Sequence, residues 1–409
     1  MQRVKKRRVF YVSGFDPRGP ALYHRMYREE SQKQAARSGF SVRVGERRRM
    51  GPLSTTWRVE RATDDSAVET SFEFMRWDDI VRRHWHGGFA RLYVLALKTY
   101  WHGTVTTGLL GKVFRIARWA FVTGIAPAVV LLGMPPFALL AGWGGYLIGE
   151  GASMSGWLPV VSGSAGFAAV GTLGYLLERK LSLGWLLRTY AFVVAYGRGK
   201  IPELDERVER FAERIASYIQ TSDDDEIVVV GHSVGANVAV SVLARALAVS
   251  PLLYRSYGPV GFLTLGGTIP MLGLIPSAQR FRDELAQLAR NPDLVWVDVS
   301  APQDAASFAL LNPVTASGVA VDGAALLRPQ VVSACFRETL SPETYSRAVW
   351  DLFRMHFQYL MASEQERVHD YLSVTTDGLM FRERFVSGAQ PPINADKNEN
   401  PKQGIDNGS

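Results

Sequence analysis

One stretch of the chain limits its possible folds more than any other. Residues 119–177 contain no Lys, Arg, Asp or His, and Glu150 is their only formally charged side chain. A run of 59 residues with one charge is far too long for a single buried helix of a globular domain. Because a bilayer core of about 30 Å needs about 20 apolar helical residues, we predict two membrane-spanning helices. One lies within 119–148 and the other within 157–177, joined by a turn at 149–156.

The first predicted span has an irregular sequence, because Pro127, Pro135 and Pro136 lie inside it. A proline in a helix interior removes one backbone hydrogen bond and clashes with the preceding turn. The sequence therefore leaves open a straight helix, a kinked helix or two short helices, and with the last of these a third crossing. Three crossings would separate the parts of the chain before and after this stretch, which the patterns below assign to one domain.

Basic residues flank the apolar stretch on both sides and are absent from its turn. The nearest ones are Lys112, Arg115, Arg118, Arg179, Lys180 and Arg188. Loops rich in Lys and Arg stay in the cytoplasm, so the hairpin should enter and leave the bilayer on that side. Suitable interfacial aromatic residues are Trp101, Trp119 and Trp185. We therefore expect a multi-pass protein of a bacterial inner membrane, with the rest of the chain in the cytoplasm.

The formal net charge of +7 is concentrated before the apolar stretch. Residues 1–118 hold 24 Lys and Arg against 11 Asp and Glu, so the rest of the chain is net acidic. A nucleic-acid partner would require a recognisable fold or aromatic residues interleaved with the basic ones, and neither is visible. Anionic lipid headgroups fit this charge better, which makes the bilayer a predicted partner and excludes nucleic acid.

A strand, a tight turn and a helix follow one another around Ser233. The run EIVVV at 226–230 is typical of a strand buried on both faces of a parallel sheet, and it leads directly into GHSVG at 231–235. Small and apolar residues then continue as a helix to Ala248. A serine on such a turn exposes its hydroxyl at a helix N-terminus, which favours developing negative charge. We predict that Ser233 is a nucleophile. The other members of this nucleophile turn are Gly231, His232 and Gly235.

Strand and helix patterns alternate on both sides of this turn. Apolar runs predict strands at 7–15, 261–267 and 294–300. Helical periodicity predicts helices at 202–220 and 277–290, and a turn and a further helix follow the first strand. Alternating polar and apolar residues predict antiparallel strands at 41–48, 55–62 and 68–76. The predicted fold class is α/β, with a mostly parallel sheet flanked by helices and an inserted two-helix membrane hairpin.

This pattern divides the chain into four segments. Residues 1–100 and 201–386 form the two parts of one domain, and residues 101–200 form the membrane insertion between them. Residues 387–409 are polar and rich in Asn, Pro and Gly, which predicts a disordered tail.

The GHSVG turn between a strand and a helix, with further strand and helix units after it, resembles the α/β-hydrolase superfamily of lipases and esterases. In that family the triad runs Ser, then Asp or Glu, then His, and the acid follows a strand beyond the nucleophile. The resemblance implies Asp304 as the acid, because it follows the predicted strand 294–300. Asp298 inside that strand and Asp322 in a predicted turn remain alternatives.

The resemblance leaves two candidates for the base, since only His356 and His369 follow Asp304. His356 lies among aromatic and apolar residues, where a pocket can exclude water. His369 lies in a charged stretch that is typical of a solvated helix face. His356 is therefore favoured as the base.

The resemblance also implies an oxyanion hole. One N–H donor in the family comes from the loop after an early strand, which corresponds to Gly14 or Phe15, and the other is the N–H of Val234. The HGGG form of that loop is missing from this sequence. Arg18 and His24 lie in the same segment and are candidates for either the site or the surface.

The single cysteine, Cys335, lies in an apolar run without a local activating base, which predicts a buried structural thiol. One cysteine forms no intrachain disulfide, so a reducing compartment is expected for the domain. No metal site is predicted, and the implied chemistry needs no metal or organic cofactor.

Together these features predict a membrane-anchored serine hydrolase that cleaves carboxylic esters through an acyl-enzyme intermediate. The hairpin would hold the pocket at the bilayer surface, so a lipid ester such as a glycerolipid or lysophospholipid is the expected substrate. Two alternatives remain open: an acyltransferase that uses the same triad, and a catalytically inactive membrane scaffold.

Overall fold

The computed structural model describes residues 3–64, 66–85, 87–152, 156–249, 260–365, 367 and 369–386. The segment 387–409, predicted from the sequence to be a disordered tail, lies outside the described residues. A nine-stranded mixed sheet forms the centre of the protein. Its strands are β1 (Lys6–Val12), β2 (Ser41–Val44), β3 (Arg48–Arg49), β4 (Ser54–Thr63), β5 (Ser66–Met75), β6 (Glu226–His232), β7 (Gly261–Leu265), β8 (Val295–Ser300) and β9 (Gln330–Ser333).

The strand order across the sheet is β2-β4-β5-β1-β6-β7-β8-β9, with β3 paired to β4. All pairs from β5 to β9 are parallel, whereas β2, β3 and β5 are antiparallel to β4. The predicted α/β class with a mostly parallel sheet is therefore confirmed. The strand predicted at 68–76 is antiparallel to β4 as expected, and on its other side β5 pairs in parallel with β1. Strands from before and after the apolar stretch lie side by side, with β1 between β5 and β6.

Helices flank the sheet on both faces. Those up to the nucleophile turn are α1 (Pro20–Ser38), α2 (Asp78–His84), α3 (Phe89–Trp101), α4 (Leu109–Ile116), α5 (Arg118–Gly151), α6 (Leu158–Leu181), α7 (Leu183–Gly197) and α8 (Pro202–Thr221). Those after it are α9 (Val234–Val249), α10 (Ile269–Gly273), α11 (Gln279–Arg290), α12 (Pro313–Ala316), α13 (Phe336–Thr339), α14 (Pro342–Ala348), α15 (Leu352–Phe357), α16 (Tyr371–Thr376) and α17 (Phe381–Val386). Single-turn segments are a π-helix at His102–Thr106 and 3₁₀ helices at Gly323–Leu327 and Gln358–Leu360.

Two hydrophobic cores form because parallel strands bury side chains on both faces of the sheet. On one face, Phe10, Val229 and Phe262 pack against α8, α9 and α11. On the other face, Tyr11 and Val230 pack against α1 and α16. Alternation along each strand sends neighbouring residues to opposite cores, which fixes the register of the sheet.

Two helices, α5 and α6, are long and apolar enough to cross a membrane by length and composition. α5 is one continuous helix of 34 residues although it contains three prolines, so the break that the sequence left open does not form. At about 1.5 Å per residue it is roughly 50 Å long, which exceeds a bilayer core of about 30 Å. It also packs against α3, α4 and α7, and Thr123 and Pro127 near its start are buried.

Glycines let α5 and α6 approach each other closely. A Cβ on Gly145 would lie 2.6 Å from the carbonyl oxygen of Ser162, and one on Gly166 would lie 2.5 Å from that of Ala141. The Ser162 hydroxyl donates a hydrogen bond to the Gly145 carbonyl at 2.7 Å. Small residues at such a contact are typical of helix pairs in membranes. Large apolar side chains of the hairpin are instead exposed at its surface, among them Phe137, Leu139, Trp143, Ile148, Val160 and Leu176.

Candidate active site

Ser233 occupies a strained turn between β6 and α9. Its φ angle is 58°, in the left-handed region that residues other than glycine rarely adopt. The turn is held by a hydrogen bond from the Ser233 N–H to the carbonyl of Leu265 on the neighbouring strand β7, at 2.9 Å. Backbone strain of this kind persists only where the surroundings enforce it, and it is concentrated at functional sites.

The glycines on either side of Ser233 are required by close backbone contacts. A Cβ on Gly235 would lie 2.2 Å from the carbonyl oxygen of Val12, and one on Gly231 would lie 2.6 Å from the Cα of Ala236. Any side chain at these positions would push α9 away from the strands. The spacing of the GHSVG turn therefore reflects the packing of a helix directly onto the ends of β1 and β6.

Asp304 and His356 form a buried pair. His356 Nδ1 lies 2.9 Å from Asp304 Oδ2 and 3.1 Å from Oδ1, and both side chains are 1% exposed. The carboxylate also accepts hydrogen bonds from the Tyr359 hydroxyl and the Ala306 N–H, each at 3.1 Å. Because a carboxylate only accepts, His356 donates from Nδ1, and in the neutral imidazole Nε2 is then the acceptor nitrogen.

Ser233 and His356 line the same small cavity, of about 60 Å³. Among the groups that the structure describes, His356 Nε2 has no hydrogen-bond partner. Ser233 is 3% exposed, so water has little access to either group. The rest of the wall is mostly apolar and includes Leu110, Val113, Phe121, Trp185, Met271 and Phe308. In such a buried, mostly apolar site a charge interacts strongly with nearby dipoles and N–H groups.

The loop after β1 passes directly beside the serine. A Cβ on Gly14 would lie 2.9 Å from the Cβ of Ser233 and 3.3 Å from its Oγ. The N–H of Asp16 is used in a hydrogen bond to the Gly14 carbonyl at 2.8 Å. Among the backbone hydrogen bonds of turns, loops and helix ends in the described chain, none is donated by the N–H of Phe15 or of Val234. Val234 is the first residue of α9. Of the three candidate oxyanion residues, Gly14 adjoins Ser233 in space and Val234 adjoins it in sequence, whereas Phe15 is the residue after Gly14.

Arg18 and His24 have different places relative to this loop. Arg18 forms an ion pair with Asp16 at 2.6 Å, and its guanidinium lies over the ring of Phe353 at 4.9 Å. It therefore connects the loop after β1 to α15, the helix that carries the candidate base. The His24 Nε2 contacts the Gly45 carbonyl at 2.8 Å, away from the cavity. Of the two sequence candidates, only Arg18 is close to the site.

The rival acids lie elsewhere. The carboxyl of Asp298 accepts a hydrogen bond from Thr264 Oγ1 at 2.5 Å on the neighbouring strand, and burial raises its pKa to about 7. Asp322 is exposed and precedes the 3₁₀ helix Gly323–Leu327. Neither residue lines the cavity, whereas Asp304 contacts its candidate base directly.

The rival base, His369, is not on a solvated face, so that expectation is wrong. It is 8% exposed, and burial lowers the pKa of its imidazole to about 4. The charged residues around it in the sequence suggested a solvated helix. The side chain nevertheless turns inward just before α16, which packs against the sheet.

His232 has a structural role that the sequence did not reveal. Its Nε2 donates a hydrogen bond to the backbone carbonyl of His356 at 2.9 Å, and the two rings lie 5.0 Å apart. The pKa of His232 is lowered to about 3, mainly by burial and to a smaller extent by the neighbouring His356, so the ring is neutral. The end of β6 therefore holds the backbone of the candidate base. The only sequence signal was a polar residue at the end of a buried strand.

Trp185 on α7 also differs from expectation. The sequence suggested an interfacial position, but its ring lies 5.4 Å from that of His356, and its Nε1 donates to the Phe15 carbonyl at 3.4 Å. Trp101 and Trp119 are strongly exposed. A helix adjacent to the hairpin therefore covers the candidate site and contacts both the base and the loop after β1.

Cys335 follows β9 and is partly exposed, whereas the sequence predicted a buried thiol. Its φ of 40° is in the left-handed region. Burial and the nearby Glu338 raise the pKa of its thiol, which disfavours the reactive thiolate. In the part of the chain that the structure describes, no group of three or more His, Cys, Asp or Glu could hold a metal ion.

No protein-family model, curated protein or solved structure matches this chain. A function must therefore be inferred from the candidate site. This site combines a serine on a strained turn, an imidazole acceptor oriented by a buried carboxylate, and N–H groups beside the serine. This is the set of groups that nucleophilic acyl transfer uses.

Proposed function

We propose that the protein is a membrane-anchored serine hydrolase of the α/β-hydrolase type that cleaves carboxylic esters. The observation that carries this proposal is the buried His356–Asp304 pair, at 2.9 Å, whose free Nε2 shares a cavity with the strained Ser233. The order of the sheet supports the same family. The nucleophile follows β6, the acid follows β8 two strands along, and the base lies beyond β9.

The proposed reaction has two acyl-transfer steps. His356 Nε2 accepts the hydroxyl proton as Ser233 Oγ attacks the ester carbonyl carbon, and the resulting oxyanion accepts hydrogen bonds from the N–H groups of Val234 and of Phe15 or Gly14. Collapse of this tetrahedral intermediate breaks the bond to the alkoxy group, which leaves as an alcohol with the proton from His356. Water then attacks the acyl-enzyme by the same steps, and the carboxylic acid is released. Asp304 holds the imidazole tautomer throughout.

The proposed topology has two crossings, made by α5 and α6, with the sheet domain on the cytoplasmic side of a bacterial inner membrane. Basic residues flank the hairpin on both sides and support this orientation. Strands on both sides of the hairpin also belong to one sheet, which cannot be assembled from segments on opposite sides of a bilayer.

Cysteine accessibility in a Cys335→Ser background tests this topology. In cells whose outer membrane has been removed and whose inner membrane is intact, an impermeant maleimide should label Ala152→Cys from outside. The exposed positions Ser41→Cys and Ser217→Cys should react only after permeabilisation. Labelling of the last two from opposite sides would contradict an even number of crossings.

The hydrolase proposal is tested with the full-length protein in detergent and p-nitrophenyl butyrate. Acid quenching during turnover should trap a butyryl adduct on the peptide that contains Ser233, and Ser233→Ala should give neither adduct nor turnover. His24→Gln is the control, because His24 lies outside the cavity. Turnover that persists in Ser233→Ala would refute the proposal.

A second function, transfer of the acyl group to another alcohol, is favoured by one observation. Ser233 is 3% exposed and its cavity is mostly apolar, so a bound alcohol would compete well with water for the acyl-enzyme. Product analysis separates the two functions. Free fatty acid as the sole product in lipid micelles supports hydrolysis, whereas a new ester supports transfer.

A further inference from the structure

The cavity at Ser233 is too small for a long acyl chain. Its volume is about 60 Å³, and one water molecule needs roughly 10–15 Å³ on the same scale. The cavity therefore accommodates an ester group and a few neighbouring atoms. The chain of a lipid ester bound there would have to continue into another part of the protein.

A larger apolar groove lies between α3, α5 and α6. Its volume is about 510 Å³, within the roughly 300–1,000 Å³ that is typical of small-molecule sites. Apolar side chains that line it include Phe89, Leu92, Leu131, Met134, Ala138 and Phe167. Gly171 and Gly174 of α6 are also part of the lining, and their lack of side chains keeps the groove open.

One face of α5 borders both spaces. Ala120 and Gly124 line the cavity at the serine, and Leu131, Pro135 and Ala138 line the groove. Successive spacings of four, seven, four and three residues put these five positions on the same side of an α-helix. At about 1.5 Å per residue, roughly 20 Å of helix separates Gly124 from Ala138.

We propose that this groove holds the acyl chain of a membrane lipid while the ester group of that lipid lies at Ser233. This inference rests on the proposed hydrolase function and names its substrate class, a long-chain acyl ester of a bilayer lipid. The start of α5 lies next to Ser233 and carries Arg118, so the ester is at the basic, headgroup end of the helix. The groove then follows α5 toward the middle of the hairpin, where a chain can stay in an apolar environment.

The polar atoms of the groove are consistent with this direction. Glu178 lines it close to the end of α6, in the electrostatic neighbourhood of Arg188. Arg179 and Lys180 follow in the sequence, so the charged end of the groove coincides with the headgroup level. At the other end, Ala138 and Phe167 are apolar, as an acyl chain requires.

The test fills the groove without disturbing its walls. A Cβ on Gly171 would meet no heavy atom within 4 Å, so Gly171→Leu places a side chain in the groove without a backbone clash. Gly144→Leu is the matched control, because Gly144 of α5 also has nothing within 4 Å and lines neither space. The assay measures kcat/KM for p-nitrophenyl palmitate and p-nitrophenyl butyrate in mixed micelles.

Gly171→Leu should lower kcat/KM for the palmitate at least roughly tenfold, because each buried methylene contributes severalfold to binding. The butyrate, which does not reach the groove, should change less than about twofold, and the control should change neither. Unchanged palmitate cleavage, or an equal loss with both esters, would overturn the inference. A wild type that cleaves neither ester and gains no acyl group on Ser233 would remove the proposed function and this inference with it.

The same variants distinguish another occupant of the groove. If a second copy of the chain packs there, Gly171→Leu should abolish a crosslinked dimer in detergent that persists in Gly144→Leu. That result would also overturn the inference. Crosslinking that is the same in wild type and both variants, together with the selective loss on palmitate, supports an acyl chain.

Discussion

The sheet domain and the α5–α6 hairpin are packed by opposite rules. In the sheet, large side chains such as Val229 and Phe262 point inward and are fully buried between layers. In the hairpin, the backbones touch at glycines such as Gly145, while large residues such as Trp143, 64% exposed, point outward. Water favours the first arrangement because apolar surface is removed from it. Lipid favours the second, because outward apolar side chains cost nothing there and close contact between helices is gained.

The contrast ends at the first turns of α5. There Thr123 and Pro127 are buried, and Ala120, Phe121 and Gly124 line the cavity that contains Ser233. The helix that begins the hairpin is therefore also a wall of the candidate site. Away from this shared helix wall, substitutions in the two regions should have separable effects, on chemistry in the sheet domain and on helix packing in the hairpin.

The largest effect is expected from the sheet domain. Ser233→Ala and His356→Ala should each lower ester turnover by several orders of magnitude, up to about 10⁶, because the members of a triad act as a unit. Activity is measured per mole of folded protein with p-nitrophenyl butyrate. His369→Asn should retain most of its turnover, since that buried histidine lies outside the cavity. Loss of turnover in His369→Asn with normal activity of His356→Ala would reverse the assignment of the base.

The acid gives the next largest effect. Asp304→Asn should reduce kcat by about 10⁴, because the amide leaves His356 in the wrong tautomer. Asp298→Asn is the matched comparison. Its carboxyl has a pKa raised to about 7 and bonds Thr264, so a neutral amide replaces it with little change in turnover. Equal losses in two folded variants would leave Asp304 without a distinct role.

In the hairpin the expected effect is on stability. Gly145→Ala places a Cβ about 2.6 Å from the Ser162 carbonyl oxygen, and such overpacking typically costs about 1–3 kcal/mol. The thermal midpoint of the protein in detergent should fall. Gly144→Ala, one residue away with nothing within 4 Å, should leave it unchanged or slightly higher. Similar midpoints for the two variants would argue against close backbone packing of α5 on α6.

The smallest effect is a dependence of stability on pH. Burial lowers the pKa of His369 to about 4, whereas an unfolded histidine titrates near 6.5. Between these values the unfolded chain binds a proton that the folded chain does not, so stability falls as pH decreases, by up to about 1.4 kcal/mol per unit. His369→Gln should reduce this slope in midpoints measured from pH 4 to 7. A slope that does not change in the folded variant would contradict the burial of this histidine.

The sequence predicted local features of the sheet domain well. EIVVV, GHSVG and the helix after them appear as β6 and α9, because a long periodic pattern is decided by neighbours in the chain. The predicted hairpin corresponds to α5 and α6 for the same reason. Within the candidate site, the place of Asp304 after a predicted strand and the apolar neighbours of His356 favoured these two residues, whose Oδ2 and Nδ1 lie 2.9 Å apart in the structure.

What the sequence did not predict depends on contacts between distant residues. His232 and His356 are 124 residues apart, and no local pattern links them. His369 was judged from its charged neighbours, although tertiary packing decides which way its side chain points. The wall that α5 contributes to the cavity was also not predicted, because hydropathy identifies an apolar helix without identifying what it packs against.

The most direct test of the central claim, that Ser233 is an activated nucleophile, is covalent labelling by a fluorophosphonate probe. Membranes from cells expressing wild type, Ser233→Ala and Asp304→Asn are treated with the probe, and the modified peptide is identified by mass spectrometry. We predict rapid modification of Ser233 in the wild type, none in Ser233→Ala and much slower labelling in Asp304→Asn. A folded wild type that does not react, or that reacts at another serine, would contradict the account.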